Sequence, residues 1–176
     1  MLRAHLADRP FIVDTVREYL AARGLTIHHF VHPVLSIRRG PAGEVLAVGE
    51  GELEALLHCE VERVADPGAR EEIRAEVERR LTDVVAATAD FDAMLAAVDE
   101  TILAVEGYAD AHPERTEEYG EVVAFLRWLR DGNFVFLGYR GYDILPHDGE
   151  RAVQVEAGSG LGILRDDRPS RWATPV

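Results

Sequence analysis

The sequence predicts an α+β fold: an antiparallel sheet with helices on one face, followed by a helical hairpin and then a β-hairpin unit. Three observations predict it. In the first half of the chain, short stretches of period-two hydrophobicity alternate with stretches of helical period. The links between those strands are too short for parallel crossovers at every step. The chain has 176 residues, 47% hydrophobic and 29% charged, which is enough to bury a core in one domain, or in one domain plus part of a second.

The elements follow in order. Residues 2–7 read as a short strand. Asp8-Arg9-Pro10 opens a helix, with Asp8 or Arg9 at the cap and Pro10 in the first turn, where a missing N–H costs nothing. Ile12, Val16, Tyr19 and Leu20 then recur at helical spacing, and Gly24 is the stop. From Leu25 to Arg38 the pattern has period two: Leu25, Ile27, Val31, Leu35 and Ile37 fall on one face, and Thr26, His28, His32, Ser36 and Arg38 on the other. Pro33 cannot donate to a ladder and implies an edge or a bulge. A turn at 40–43 leads to a short strand near 44–48 and a stronger one over about 55–64, with Leu57, Cys59 and Val61 inward. Asp66-Pro67 caps a long amphipathic helix whose apolar stripe is Ile73, Val77, Leu81, Val84 and Val85.

The second half changes character. Asp90 caps a helix carrying Phe91, Met94, Leu95, Val98 and Ile102; after His112-Pro113 another carries Tyr119, Val122, Val123, Leu126 and Leu129. Phe134–Tyr139 is rich in strand formers, 146–149 is a turn, and 151–156 is expected to pair back. The polar run 165–171 reads as a loose tail. The expected division is an α+β domain over 1–88, a helical hairpin linker over 89–131, and a β-rich segment over 132–176 that starts a further module.

Composition excludes several functions. The formal net charge is −13, the wrong sign for nucleic acid or an anionic membrane surface. All 19 basic residues are arginine, so no Schiff-base or general-base lysine comes from this chain. A single cysteine, Cys59, forbids an internal disulfide. With no signal peptide and no apolar run near the ~20 residues of a membrane span, the expected location is the cytoplasm.

The candidate motifs are weak as chemistry. His28 and His32 share a strand face while His29 points to the core, which gives half a zinc site and no metal is expected. Cys59 lies between Leu57 and Val61 as a small buried hydrophobe rather than a nucleophile. Gly158-Ser159-Gly160-Leu161-Gly162 has glycines, but Pro169 and the charges after it leave no room for the helix a dinucleotide fingerprint needs. No catalytic residue and no cofactor site is expected in the chain.

Several stretches resemble one family. Asp8-Arg9-Pro10-Phe11-Ile12-Val13-Asp14-Thr15-Val16, His32-Pro33-Val34-Leu35, Phe125-Leu126-Arg127-Trp128-Leu129 with Asn133–Arg140, and Gly158–Arg165 resemble, in order, runs in the N-terminal region of the large bacterial NAD-dependent glutamate dehydrogenases. The resemblance implies an ACT-like, ferredoxin-like first domain and a non-catalytic regulatory or scaffolding role. NAD and the catalytic lysines would belong to a distant domain of the parent enzyme. The implied partners are that enzyme's other domains and subunits, in a homo-oligomer, with an amino acid as possible effector. ACT modules often bind amino acids at the turn between first strand and first helix, which makes Asp8, Arg9 and Phe11 the candidate effector site. Asp8 would take the ammonium group, and Arg9 and the helix N–H groups the carboxylate. Phe11 stands where such a turn usually has glycine. The alternative is a free-standing amino-acid-sensing module that acts on another protein.

Overall fold

The computed structural model describes residues 1–147 and 150–165. Two compact units divide at 85/86. The first contains β1 (Leu2–Ala7), α1 (Ile12–Ala22), β2 (Ile27–Val31), β3 (Val34–Arg39), β4 (Val45–Val48), β5 (Glu52–Val61) and most of α2 (Pro67–Ala89).

β5 is the centre of an antiparallel sheet. β1 runs along one of its sides, β2 and then β3 along the other, and β4 lies beyond β3. β2 and β3 are therefore two halves of one strand broken at His32-Pro33. Pro33 has no N–H, but its carbonyl accepts from Leu56 N–H at 3.0 Å, and pairing resumes at once.

One face of the sheet carries the helices. Leu2, Ala4 and Leu6 of β1 and Ala55, Leu57 and Cys59 of β5 meet Ile12, Val16, Tyr19 and Leu20 of α1 and Ile73, Val77, Leu81 and Val84 of α2. Fully burying one such Leu or Ile contributes about 1.5–3 kcal/mol before the entropy of ordering it. The α2 cap forms as its sequence requires: the Asp66 carboxylate accepts from Ala69 N–H at 2.9 Å and Gly68 N–H at 3.3 Å.

Four expectations need correction in this unit. The first helix does not start in the Asp8–Pro10 segment with a side-chain cap; it starts at Ile12, with Phe11 as an N-cap residue making no side-chain cap bond. The face assignment of residues 25–38 fails because the ladder slips between Ile27 and His29. One extra residue inverts every later side chain. Phe30 turns onto the core, while Val31 stands on the helix-free face opposite His58, and Leu35 and Ile37 follow it there opposite Glu54 and Glu52. His29, expected at the core, sits opposite Glu60 and is exposed. Finally, β5 begins three residues before its expected start of about 55, which brings Glu52, Leu53 and Glu54 into the sheet.

The second unit is built on α3 (Phe91–Ala111) and α4 (Thr116–Trp128), packed through Val98, Ile102, Val105, Val123 and Leu126. Two ion pairs cross between them: Arg127 with Glu106 at 2.6 Å, and Arg130, just past α4, with Asp99 at 2.6 Å. A π-type turn at Leu129–Asn133 ends α4, with Gly132 at φ 86°. The predicted strand over 134–139 is then mostly absent. Phe136 packs, partly buried, against the α3–α4 core, with Phe134 edge-on to it at 5.3 Å, and among the described residues of this run only β6 (Gly138–Tyr139) pairs, with β9 (Leu161–Gly162). The hairpin instead joins β7 (Tyr142–His147) to β8 (Glu150–Val155). The tip of the expected 146–149 turn (148–149) and the tail beyond Arg165 lie outside the described residues.

Candidate functional site

The turn between β1 and α1 is held by its neighbours. Asp8 N–H donates to Leu53 O at 2.8 Å, which fixes the end of β1 on β5. Arg9 reaches backward and across: its Nε donates to Ala7 O at 3.3 Å and Nη1 to Val85 O at 3.2 Å. Phe11 takes φ 71°, ψ 0°, the left-handed region, the one non-glycine residue with positive φ among the described residues. Its carbonyl accepts from Thr15 N–H at 3.0 Å, so the helix starts with its first-turn amides turned toward this bend.

The backbone therefore makes the conformation a glycine would make, with a phenylalanine in it. Left-handed geometry costs an L-residue on the order of 1–2 kcal/mol. Phe11→Gly removes that strain at the cost of a more flexible unfolded chain, and should leave stability within about 1 kcal/mol of the parent. Phe11→Val keeps a side chain and adds β-branching, which the left-handed region tolerates least, so it should lose about 2 kcal/mol or more. Chemical denaturation of the two variants checks this; equal stabilities would show that the turn is not strained.

Helix-start amides suit a carboxylate and the exposed Asp8 suits an ammonium. Arg9, the expected carboxylate ligand, has its guanidinium anchored on two backbone carbonyls instead.

The helix-free face holds a cluster that sequence reasoning missed. Glu54 is 8% exposed and accepts two bonds from Arg39, Nε at 2.6 Å and Nη2 at 2.7 Å, and a further contact from His5 Nε2. Arg39 Nη1 also donates to Gly43 O at 2.6 Å. The forked Arg39 bond holds the Glu54 carboxyl down at about 2, against the desolvation that pushes the other way, with His5 adding to the lowering. The only sequence hint was the alternation Glu52-Leu53-Glu54-Ala55, which extends β5 upstream; nothing in it marks residues 15 and 49 positions away as partners.

The sign of the pH effect follows. A carboxyl depressed from 4.5 to about 2 stabilises the fold fully above about pH 4.5 and loses that contribution as pH falls toward 2. Glu54→Gln should therefore lose less stability than the parent between pH 4.5 and 2, measured as denaturation midpoint against pH. Parallel profiles would contradict the pairing.

The remaining motifs resolve into packing. Cys59 is fully buried, and burial pushes its thiol up, away from the reactive thiolate. His28, His29 and His32 are spread over a slipped strand, and the described residues contain no cluster of three His, Cys, Asp or Glu side chains able to hold a metal ion. The glycine run does not fit a dinucleotide. Gly162 N–H donates to the Asp90 carboxylate at 2.7 Å, and Arg165 grips the same carboxylate. A Cβ on Gly160 would stand 2.3 Å from Leu164 O, and one on Gly162 2.3 Å from Leu137 O. These glycines allow backbone to meet backbone, and the loop leads into β9 rather than a helix. No described helix is long and apolar enough to cross a membrane.

Comparison with known proteins bears on about nine-tenths of the chain. Residues 1–77 match the family model of the glutamate dehydrogenase ACT1 domain. The chain is similar to the NAD-specific glutamate dehydrogenase of Halomonas elongata, 34% identical over 169 residues, covering 92% of this chain and 10% of that protein. It is similar to the enzyme of the same name from Pseudomonas aeruginosa, 36% identical over 90% of the chain and 10% of the relative. The Mycobacterium tuberculosis enzyme of that name is 32% identical over 91% of the chain and 10% of the relative. The chain thus spans about a tenth of the length of the curated relatives it matches.

Proposed function

We infer that this chain, which carries the ACT1 domain of glutamate dehydrogenase and is kin to the NAD-specific glutamate dehydrogenases along nine-tenths of its length, is a regulatory and scaffolding region of such an enzyme and takes no part in its chemistry. The whole enzyme would oxidatively deaminate L-glutamate to 2-oxoglutarate and ammonia with NAD, as the relatives' name indicates. NAD would bind in a distant domain, and the chain's partners would be other domains and subunits of an oligomeric cytoplasmic enzyme.

The observation that carries this reading is the pairing of that kinship with the content of the sites. The chain has no lysine, its glycine run is closed onto Asp90, and its thiol is buried. These features offer no lysine base, no dinucleotide cradle and no reactive thiolate.

The purified chain should form no NADH from glutamate and NAD, followed by absorbance. Reproducible turnover that scales with chain concentration would refute a non-catalytic role. The β1–α1 turn sets the ligand expectation. With Arg9 anchored elsewhere, glutamate and the acidic and branched amino acids should show no saturable binding below millimolar concentration by calorimetry. A micromolar constant abolished by Asp8→Ala would make Asp8, Arg9 and Phe11 a sensor after all.

A further inference from the structure

The first unit is a βαββα arrangement. The order β1–α1–(β2/β3)–β5–α2 is the ferredoxin-like pattern without its last strand. In that pattern the last strand lies beside the first. Here α2 runs 23 residues and is followed by α3, so no later strand of this unit returns there. Among the described residues β1 pairs with β5 alone and ends the sheet.

The hydrogen bonds show what the vacant side of β1 offers. Asp8 N–H points to Leu53 on β5, so by alternation of the ladder the backbone groups of Leu2, Ala4 and Leu6 also point to β5. Leu56, opposite His5, turns its N–H away to Pro33 O, which confirms the phase. The N–H and C=O of Arg3 and His5, and the N–H of Ala7, therefore face outward. Ala7 O does not count, because Arg9 Nε already occupies it. β1 has no proline and no bulge, two of the devices that blunt an edge, and Arg3 is its one permanently charged side chain.

Beside this edge lies a groove. Its walls are β1 from Leu2 to Leu6 and one face of α2, including Val77, Leu81 and Val85. An extended segment entering it would find backbone partners on one side and, above, an α2 face that mixes Val77, Leu81 and Val85 with Arg74, Glu78 and Thr82.

We propose that this groove seats a fourth sheet strand supplied by a part of the parent polypeptide outside this chain. The proposal rests on the reading that the chain is a piece of such an enzyme, of which it spans about a tenth. A second copy of the chain is the poorer occupant. Its β1 would bring its own α2 over the same groove, and helix axes need about 8–10 Å where strands stand only about 4.8 Å apart. A lone strand carries no helix with it. The fitting segment is about five or six residues long and antiparallel to β1. It is apolar at alternate positions toward Val77 and Leu81, and acidic on the other face, toward Arg3.

Residue-resolved hydrogen exchange on the full-length polypeptide and on this 176-residue chain tests it. In the short chain the amides of Ala4 and Leu6 should be protected and those of Arg3 and His5 should exchange freely. In the full-length polypeptide Arg3 and His5 should slow by at least about tenfold, to the level of their neighbours. Equal exchange of Arg3 and His5 in both would overturn the proposal. So would protection of these amides in the short chain that rises with its concentration, since that would place a second copy at the edge. Whether the natural reading frame continues beyond Val176 is read from the gene, so failure of the parent-enzyme reading is seen separately from failure of the exchange experiment.

Discussion

Leu57→Ala is expected to lower the stability of the 1–85 unit by about 3–4 kcal/mol, within the usual range for a buried leucine. Leu57 is 2% exposed at the middle of β5, the strand every part of the sheet depends on, and it belongs to the cluster that both helices close over. Truncation removes the transfer energy of the lost methyl groups and leaves a cavity that neighbours on two helices and three strands cannot all collapse into. A domain of this size has only about 5–10 kcal/mol to lose, so the variant should melt far below the parent or populate the unfolded state at ordinary temperature. Glu76→Ala is the matched control. Glu76 pairs with Arg79 and Arg80 on the solvent side of α2, and such surface pairs contribute little. Comparable losses from the two changes, in denaturant titrations, would reject both the α2 register and the placement of the core.

Gly162→Ala is expected to be the most damaging single change in the second unit, at about 2–4 kcal/mol. The cost has two sources. Gly162 has φ 60°, where an added side chain is strained, and its Cβ would lie 2.3 Å from Leu137 O, well inside contact distance. The backbone must move to relieve that clash. The movement breaks the β6–β9 pairing and pulls Gly162 N–H from Asp90. Gly158→Ala is the comparison. It shares a positive φ of 77° but meets nothing within 4 Å, so it should carry only the backbone strain of about 1 kcal/mol. If the two variants unfold together, close backbone approach is not what the glycine run is for.

Much of the first unit was legible in the sequence because local signals and tertiary packing agree there. The Asp66-Pro67 cap, the apolar stripe of α2 from Ile73 to Val84, and the inward Leu57 and Cys59 each follow from a pattern that the core then satisfies. Where long-range packing decided, the sequence misled. The slip after Ile27 is invisible to a period-two count, because the count assumes an unbroken ladder, and it reversed the assignments of Val31, Leu35 and Ile37. The run Phe134-Val135-Phe136-Leu137 has high strand propensity, yet Phe136 packs against the α3–α4 core instead of entering a ladder.

The turn at Asp8–Phe11 was legible as a turn, and its conformation was not. Adjacent residues Asp8, Arg9 and Phe11 necessarily arrive together, but two features of the turn depend on the fold. Arg9 is drawn to Val85 O, 76 residues away, and Phe11 is forced into a backbone region that its side chain disfavours. The partners in the Glu54–Arg39–His5 cluster were not legible, since three separate strands supply its members.

The central proposal is that this region regulates or scaffolds a glutamate dehydrogenase without contributing to its chemistry. Steady-state kinetics of the full-length enzyme and of a folded form lacking residues 1–85 test that proposal most directly. The truncated enzyme should keep turnover at saturating glutamate and NAD to within about a factor of a few, because each lost decade would mean 1.4 kcal/mol of transition-state stabilisation supplied by the deleted residues. Its subunit assembly, its response to amino-acid effectors, or both should change. A folded truncated enzyme with turnover reduced by several orders of magnitude at saturation, or one whose assembly and effector response are both identical to the full-length enzyme's, would contradict the account.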